Sequence, residues 1–434
     1  MTPYANFGAP NHRTGETLRP FYKNLCFVSV LIAFIVGLML GIFLPFVYSK
    51  NASNSTDIVT IINDTSEIRT VFLSNSFSAK NRSDINKYPT VSFVENLKAG
   101  EEANYGKLIQ NGIYWGEDVE TSLPEGYREK KHTIWRDYVN KAVAVKLENG
   151  CGRMQNRMVI FQDGLKGCVR YRQNTDQIQG ELFSFYLAQI LKLPNLAPST
   201  VSIVDLKSPL WSNLRNEIAA AQWNSNRAIV LTQYISNLGA ASIPDVFRPI
   251  ERHLNKFDVL NMTKNEIIEK EDLTKTLTEL AQWSDLIIFD YLTANLDRIV
   301  NNLYNYQWNA NIMDAPAHNL AKKSDSDLLL FLDNESGLLH GYRLLKKYEV
   351  YHSVLLENLC IFRKKTADII KDLKTKRNIG KLLRDTFEQQ NSEIVKDILP
   401  TLPDKSVKVL NERIERVYQQ IVKCESIYAN DNST

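Results

Sequence analysis

The run from Leu25 to Tyr48, LCFVSVLIAFIVGLMLGIFLPFVY, contains no charged residue. At about 1.5 Å per residue, a helix of this length crosses a hydrocarbon core of roughly 30 Å. A cleavable signal peptide has a shorter apolar region and a small-residue cleavage site, which this run lacks. A helix buried in a soluble core is rarely apolar on every face. The run therefore reads as a transmembrane signal anchor. Arg13, Arg19 and Lys23 precede it, against the single acid Glu16. Basic residues beside a span stay cytosolic. Residues 1–24 are thus expected to form a cytosolic tail, residues 25–48 the span, and all that follows a lumenal region, giving a single-pass type II topology.

Residues 49–104 open with NASNSTDIVTIINDTSEIRT, rich in Asn, Ser and Thr and without helical periodicity. They read as a stem that holds a domain off the membrane. Glycosylation acceptor patterns cluster there at Asn51, Asn54, Asn63 and Asn81, and recur at Asn261, Asn334 and Asn432. Cys151, Cys168, Cys360 and Cys424 lie beyond the span, where an oxidising compartment favours two disulfides in one of three pairings. They show no C-x-x-C spacing, and the six histidines form no zinc pattern. A formal net charge of only +3 carries no nucleic-acid footprint.

Residues 105–430 have the composition of a folded domain. Asn111–Gly126 reads as a turn-rich lead-in whose aromatics dock on it. Ala142–Glu148 alternates as a strand, and Arg157–Arg172 reads as a hairpin around Asp163-Gly164. Asp176–Leu193 reads as a helix with Glu181 at the border of its apolar face, and Arg227–Ile235 as a further strand. From about Leu273 helical patterns dominate, including YHSVLLENLCIFRKK, interrupted by the apolar strand DLLLFLD. The expected fold is α+β and two-lobed, with a β-rich N-lobe over about 105–240 and a helical C-lobe over about 241–430. A cleft between lobes is a common ligand site.

Phosphoryl transfer needs an Asp to take the proton of the attacking hydroxyl, acidic and amide side chains for metal ions, and a cation on the phosphates. Asp297 and Asn302, in NLDRIVNN, are five residues apart, the spacing at which a kinase loop presents a catalytic Asp and a metal-binding Asn. Asp333 follows the strand LLLFL, as the metal Asp of kinases follows a buried strand. Taken singly, an Asp-Arg pair at a helix end reads as a cap or surface ion pair, and Glu181 as a solvated helix residue. Their order along the chain, hairpin, helix with Glu, Asp loop and strand with Asp, raises the kinase-like reading.

The phrases CGRMQNRMVIFQDGLKGCVRYRQNTDQIQGELFSFYLAQIL, WSDLIIFDYLTANLDRIVNNL and LLFLDNESGLLHGYRLLKKYEVYHSVLLENLCIFRKK closely resemble the four-jointed proteins. These are type II Golgi kinases related to the secretory kinases of casein and proteoglycan xylose. The resemblance spans roughly residues 105–425. It implies an atypical protein-kinase-like fold, ATP and a divalent cation, Mn²⁺ or Mg²⁺, as cofactors, and Golgi localisation, with release of the domain if the stem is cut. It further implies Asp297 as catalytic residue and Asp333 as metal ligand within Asp333-Asn334-Glu335. Glu181 would face nucleotide and metal, and Asn302 would take a second metal position. Arg170, in GCVRYR, stands where the related kinases carry Lys and would bind nucleotide phosphates. No G-x-G-x-x-G loop exists, and Gly150-Cys151-Gly152 is the nearest candidate. The implied substrates are Ser or Thr hydroxyls in cadherin-repeat ectodomains of Fat and Dachsous. A glycan on Asn334 would block such a site, so Asn334 is expected to be unmodified.

Two other readings compete. A Golgi glycosyltransferase would bind a sugar nucleotide and Mn²⁺ through a D-x-D such as Asp325–Asp327, although this one precedes its strand and reads better as a polar insertion. A pseudokinase would only grip partners, and Arg170 is its best argument.

Overall fold

Apolar side chains on both faces build the central sheet. The computed structural model describes residues 106–429, apart from 250–252 and 265–269. The expected tail, span and stem, with Asn51, Asn54, Asn63, Asn81 and Asn432, lie outside the described residues. Among the described residues no helix is long and apolar enough to cross a membrane.

The lead-in forms β1 (Ile109–Gln110) and β2 (Tyr114–Trp115), followed by α1 (Glu117–Ser122) and α2 (Glu129–Val139). Next come β3 (Ala144–Asn149), β4 (Arg157–Phe161), β5 (Lys166–Arg170), α3 (Thr175–Ile190), β6 (Ser199–Ile203), α4 (Arg215–Ala220) and β7 (Ala228–Gln233). The five longer strands make one antiparallel sheet in the order β3-β4-β5-β7-β6. The β4–β5 turn is the expected hairpin, with Gly164 at φ +86°.

Both faces of this sheet are covered, and period-two alternation divides them. On β7, Ala228 and Val230 join the core that contains α3, while Ile229 and Leu231 join a second cluster with Trp135 of α2 and Ile218 of α4. Arg170 on β5 pairs in register with Val230, and Val169 with Leu231. The pleat therefore turns Cys168 and Arg170 toward α3. That helix starts where the Asn174 side chain accepts the Asp176 N–H, and it is buried on nearly every side from Ile178 to Ala188. Burying a side chain such as Leu182 or Phe183 contributes roughly 1.5–3 kcal/mol. Lys192 in the left-handed region (φ +57°) and Pro194 stop the helix short of the expected Leu193.

The second part holds β8 (Leu238–Ala240), α5 (Lys256–Thr263), α6 (Lys270–Thr293), α7 (Ile299–Asn305), β9 (Leu320–Lys323) and β10 (Leu329–Phe331). After these come α8 (Leu339–Arg343), α9 (Leu345–Glu357), α10 (Lys364–Lys376), α11 (Ile379–Gln390), α12 (Glu393–Ile398) and α13 (Asp404–Tyr428). The fold is thus mixed α and β, a sheet-rich first part followed by a largely helical second.

Two expectations are corrected here. The single strand expected at DLLLFLD belongs to a three-stranded sheet, β10-β9-β8. The helix expected through YHSVLLENLCIFRKK breaks at Glu357. Residues 359–362 run extended because long-range partners claim their backbone: Cys360 N–H donates to Leu254 O (2.8 Å), Phe362 N–H to Ile113 O (2.8 Å), and Trp115 N–H to Phe362 O (3.0 Å). The lead-in aromatics dock on this helical part. Trp115 is 1 % exposed and its indole N–H reaches Ser284 Oγ (3.3 Å), while Arg363 ties Glu120 of α1 to Asp285 of α6.

The cysteines pair as Cys151–Cys168 and Cys360–Cys424. In the chain-entropy account the 64-residue separation of the second pair constrains the unfolded chain more than the 17 of the first. The expected contributions are about 4 and about 3 kcal/mol. Urea unfolding of the two double Cys→Ser variants should therefore show the larger loss for Cys360/Cys424. The reverse order would place the benefit in native contacts instead of the unfolded state.

Candidate active site

The site forms where β5, α3 and the loops after α6 and β10 meet. Arg170 is its hub. Its Nη1 donates to Asp333 Oδ1 (2.8 Å) and to Glu335 Oε2 (2.7 Å), and its Nε lies 3.4 Å from Glu181 Oε2. Burial alone would lower the Arg170 pKa, but Glu181, Asp333 and Glu335 outweigh it and hold the guanidinium charged. Glu181 sits one helix position from Gly180, which lets the acidic loop press against α3. A Cβ on Gly180 would fall 2.5 Å from the Glu335 carbonyl oxygen. The Asn334 N–H then donates to Glu181 Oε2 at 2.6 Å. Burial pushes the Glu181 pKa up, Arg170 and this N–H pull it down, and the neighbouring carboxylates push it up again.

The Asp297 loop is shaped by capping chemistry. Ala294, at φ +51°, closes α6, and Asn295 N–H returns to Asp290 O (3.0 Å). The Asn295 side-chain oxygen accepts the Asp297 N–H (2.9 Å) and the Ser336 hydroxyl (3.1 Å), joining this loop to the acidic one. Burial raises the Asp297 pKa above the ordinary carboxylate range and the Asp333 charge adds to this, while Ser336, Arg153 and Arg298 oppose it. Asp333 itself takes φ +52°, a conformation that Asp tolerates better than most residues. Such backbone outliers cluster at functional sites.

Arg298 is not the surface partner that its neighbour Asp297 suggested. It is fully buried. It pairs with Asp290, and donates to Asn319 O (3.1 Å), Leu332 O (2.9 Å) and Asn334 Oδ1 (2.6 Å). Burial pushes the Asp290 carboxyl up to about 6 against the pull of Arg298, so at neutral pH the pair is ionised.

The structure brings together Arg170, Glu181 and Asp333, with Asp297 in the adjoining loop. Asn302 stands apart. Its side-chain NH₂ donates to Ile312 O (3.0 Å), and its buried Oδ1 has no hydrogen-bond partner. Sequence reasoning named Glu335 only as part of the Asp333-Asn334-Glu335 motif and passed over Arg172 and Arg153. Glu335 is 2 % exposed and takes Arg170 and Arg172 on Oε2 (2.7 Å each) and Arg153 on Oε1 (2.9 Å). A signal existed: RYR puts two arginines within three residues at the end of β5, next to a buried helix, and two buried arginines demand more than one carboxylate.

Carboxylate oxygens are hard donors that suit Mg²⁺ or Mn²⁺. Among the described residues no cluster of three His, Cys, Asp or Glu makes a protein-only metal cage. Such ions are commonly held by one or two carboxylates plus substrate phosphates, which Asp333 and Glu181 fit. The D-x-D alternative finds no support. Asp325 and Asp327 lie in the β9–β10 turn, ion-paired to Lys323 and to Lys275 and Lys322 respectively. That segment is a strand and tight turn, not a polar insertion.

Residues 130–427 match the family model described as the Four-jointed box protein middle domain. The chain belongs to the four-jointed box family. It is 52% identical to the Drosophila melanogaster "Extracellular serine/threonine protein kinase four-jointed", the match covering 73% of this chain and 61% of that protein. The chain thus spans about three fifths of that relative's length. It is 38% identical to Four-jointed box protein 1 of Xiphophorus maculatus, covering 74% and 73% of the two chains. Solved structures with some likeness include a hydra Fam20 with sugar (14% identity, TM-score 0.47, 73% of this chain and 96% of that one). Another is the Golgi casein kinase with Mn/ADP bound (10%, 0.45, 85% and 93%).

In this four-jointed box chain the two acceptor patterns among the described residues differ in access. Asn261 is exposed on α5. Asn334 is 2 % exposed, with its NH₂ on Phe331 O (3.0 Å) and its Oδ1 on Arg298. Glycopeptide mapping after expression through the secretory pathway should find sugar on Asn261 and none on Asn334. A glycan on Asn334 would contradict this packing.

Proposed function

We propose that the chain is a Golgi type II membrane protein kinase that transfers the γ-phosphate of ATP to Ser or Thr hydroxyls of extracellular domains. The reading is supported above all by one arrangement: a buried arginine on β5 gathering a helix Glu and a post-strand Asp, with a second Asp in the adjoining loop. Asp297 accepts the proton of the acceptor hydroxyl as its oxygen bonds to the γ-phosphorus and ADP departs with the electron pair of the broken bond. The raised Asp297 pKa makes it a better proton acceptor than an exposed carboxylate. Arg170 turns part of its hydrogen bonding toward the phosphates. A divalent cation held by Asp333 and Glu181 would neutralise phosphate charge.

The proposed acceptors are cadherin repeats of Fat and Dachsous. A phosphate adds about −1.5 to −2 charges near neutral pH, enough to alter pairing between receptor ectodomains without refolding them. A second reading, a binding-only pseudokinase, is favoured by one observation: Arg170 is already engaged by three carboxylates. Incubating the purified full-length chain with labelled ATP, Mn²⁺ or Mg²⁺ and cadherin-repeat fragments separates the two. Label on the fragments supports the kinase. Nucleotide binding without turnover supports the pseudokinase, and label on another secreted protein keeps the kinase and removes the cadherin assignment.

A further inference from the structure

We propose that Arg153 is a further catalytic residue, an arginine supplied in cis by the β3–β4 turn to the oxygens of the transferring phosphoryl group. The proposal rests on the phosphoryl-transfer reading of the site.

Three arginines meet at Glu335, and they differ in freedom. The Arg172 side chain is 4% exposed and its Nη1 donates to Asn156 Oδ1 and Tyr171 O (2.7 Å each). The Arg170 side chain is 14% exposed and shared among three carboxylates. The Arg153 side chain is 57% exposed, and its Nη1 lies 2.9 Å from Glu335 Oε1. When Arg153 swings away, Glu335 keeps Arg170 and Arg172 on its other oxygen. No buried carboxylate is left unpaired, so the large cost of stranding a buried charge does not arise.

The backbone that carries Arg153 is tied down at several points. Cys151 is bonded to Cys168, two residues before Arg170 on the same face of β5. Asn156 returns its side-chain NH₂ to Cys151 O (2.8 Å) and its backbone N–H to Arg153 O (2.8 Å). Cys151 and Gly152 take φ +60° and +90°, turning the chain sharply over the site. A cross-linked turn bearing one exposed guanidinium, paired to the Glu335 carboxylate, is the geometry of an arginine finger. The Arg153 charge is also among those that lower the Asp297 pKa, which puts it within electrostatic reach of the proton acceptor.

In the step itself the acceptor oxygen bonds to the γ-phosphorus and the bond from phosphorus to the ADP oxygen breaks. The electron pair leaves with ADP, and the hydroxyl proton goes to Asp297. Arg153 exchanges no proton, and its N–H groups hold charge on the phosphoryl oxygens.

The test uses the full-length protein, ATP transfer, ADP binding and binding of ADP with aluminium fluoride, a mimic of the transferring phosphoryl. Arg153→Ala should lower kcat about 1,000-fold or more. It should leave ADP affinity unchanged and abolish the extra affinity that aluminium fluoride confers, with Arg153→Lys intermediate. Met154→Ala, at the exposed tip of the same turn, should match wild type. Unchanged kcat in Arg153→Ala, a loss confined to ADP affinity, or an equal loss in Met154→Ala would each overturn the proposal. A wild type that transfers no phosphate and gains nothing from aluminium fluoride would overturn the kinase reading and this proposal with it.

Discussion

Asp333→Asn is expected to remove phosphate transfer while the protein stays folded. Asn is the informative replacement because residue 333 sits at φ +52°, which Asn accepts and Ala resists. The substitution removes the charge proposed to ligate the metal and one of the three carboxylates on Arg170. Losses of this kind are worth orders of magnitude in rate, on the order of 10³-fold or more. Metal-dependent nucleotide binding should weaken as well. Asp297→Asn should lose transfer to a similar extent but spare nucleotide binding, because its proposed role is toward the acceptor and not the phosphates. Turnover assays alongside ADP titrations separate the two. Near-normal turnover in either folded variant would remove the role assigned to that residue.

Arg298→Met should be the most damaging single change to stability. It strips the partner from buried Asp290 and opens three hydrogen bonds to Asn319, Leu332 and Asn334. Breaking a buried pair from one side costs about 3–5 kcal/mol. Replacing both partners, Arg298→Met with Asp290→Leu, should recover part of this, because no charge is then left unpaired. It should not recover the hydrogen bonds, each worth about 1 kcal/mol. The deficit of the single variant should also depend on pH. Asp290 already titrates near 6 beside Arg298, above its unfolded value of 3.8. An acid with a raised folded pKa contributes stability at pH below the unfolded value, and that contribution is lost as pH rises through the folded one. Without Arg298 the folded value rises further, so the variant should be less impaired at pH 5 than at pH 8. Urea unfolding at both pH values tests this, and an equal deficit at each would mean that Asp290 is not the source.

The hairpin, the Glu-bearing helix, the Asp loop and the strand before Asp333 were legible because each is written in local periodicity and turn chemistry. Arg298 was not, because nothing beside it in the chain shows its surroundings. Its partners lie at residues 290, 319, 332 and 334, and only folding collects them around one guanidinium. Residues 359–362 misled for a similar reason. Their helical spacing is real, but contacts with residues 113–115 and 254 are worth more than one extra helical turn. Glu335 was visible only as the third letter of a motif, and the demand on it follows from two arginines, Arg170 and Arg172, that both bury against it.

The contact at Gly180 has a mechanical consequence. At Gly180 backbone packs directly on backbone, with no side chain of its own to cushion α3 from the 335–337 loop. The two elements should travel as one stiff body, and the spacing of the carboxylates around Arg170 should persist however the sheet breathes against the helices. In native-state hydrogen exchange the Asn334 amide, bonded to Glu181, should open in step with the buried amides of α3. Gly180→Ala should uncouple them, and amides that already open independently in the unaltered protein would show that no such coupling exists.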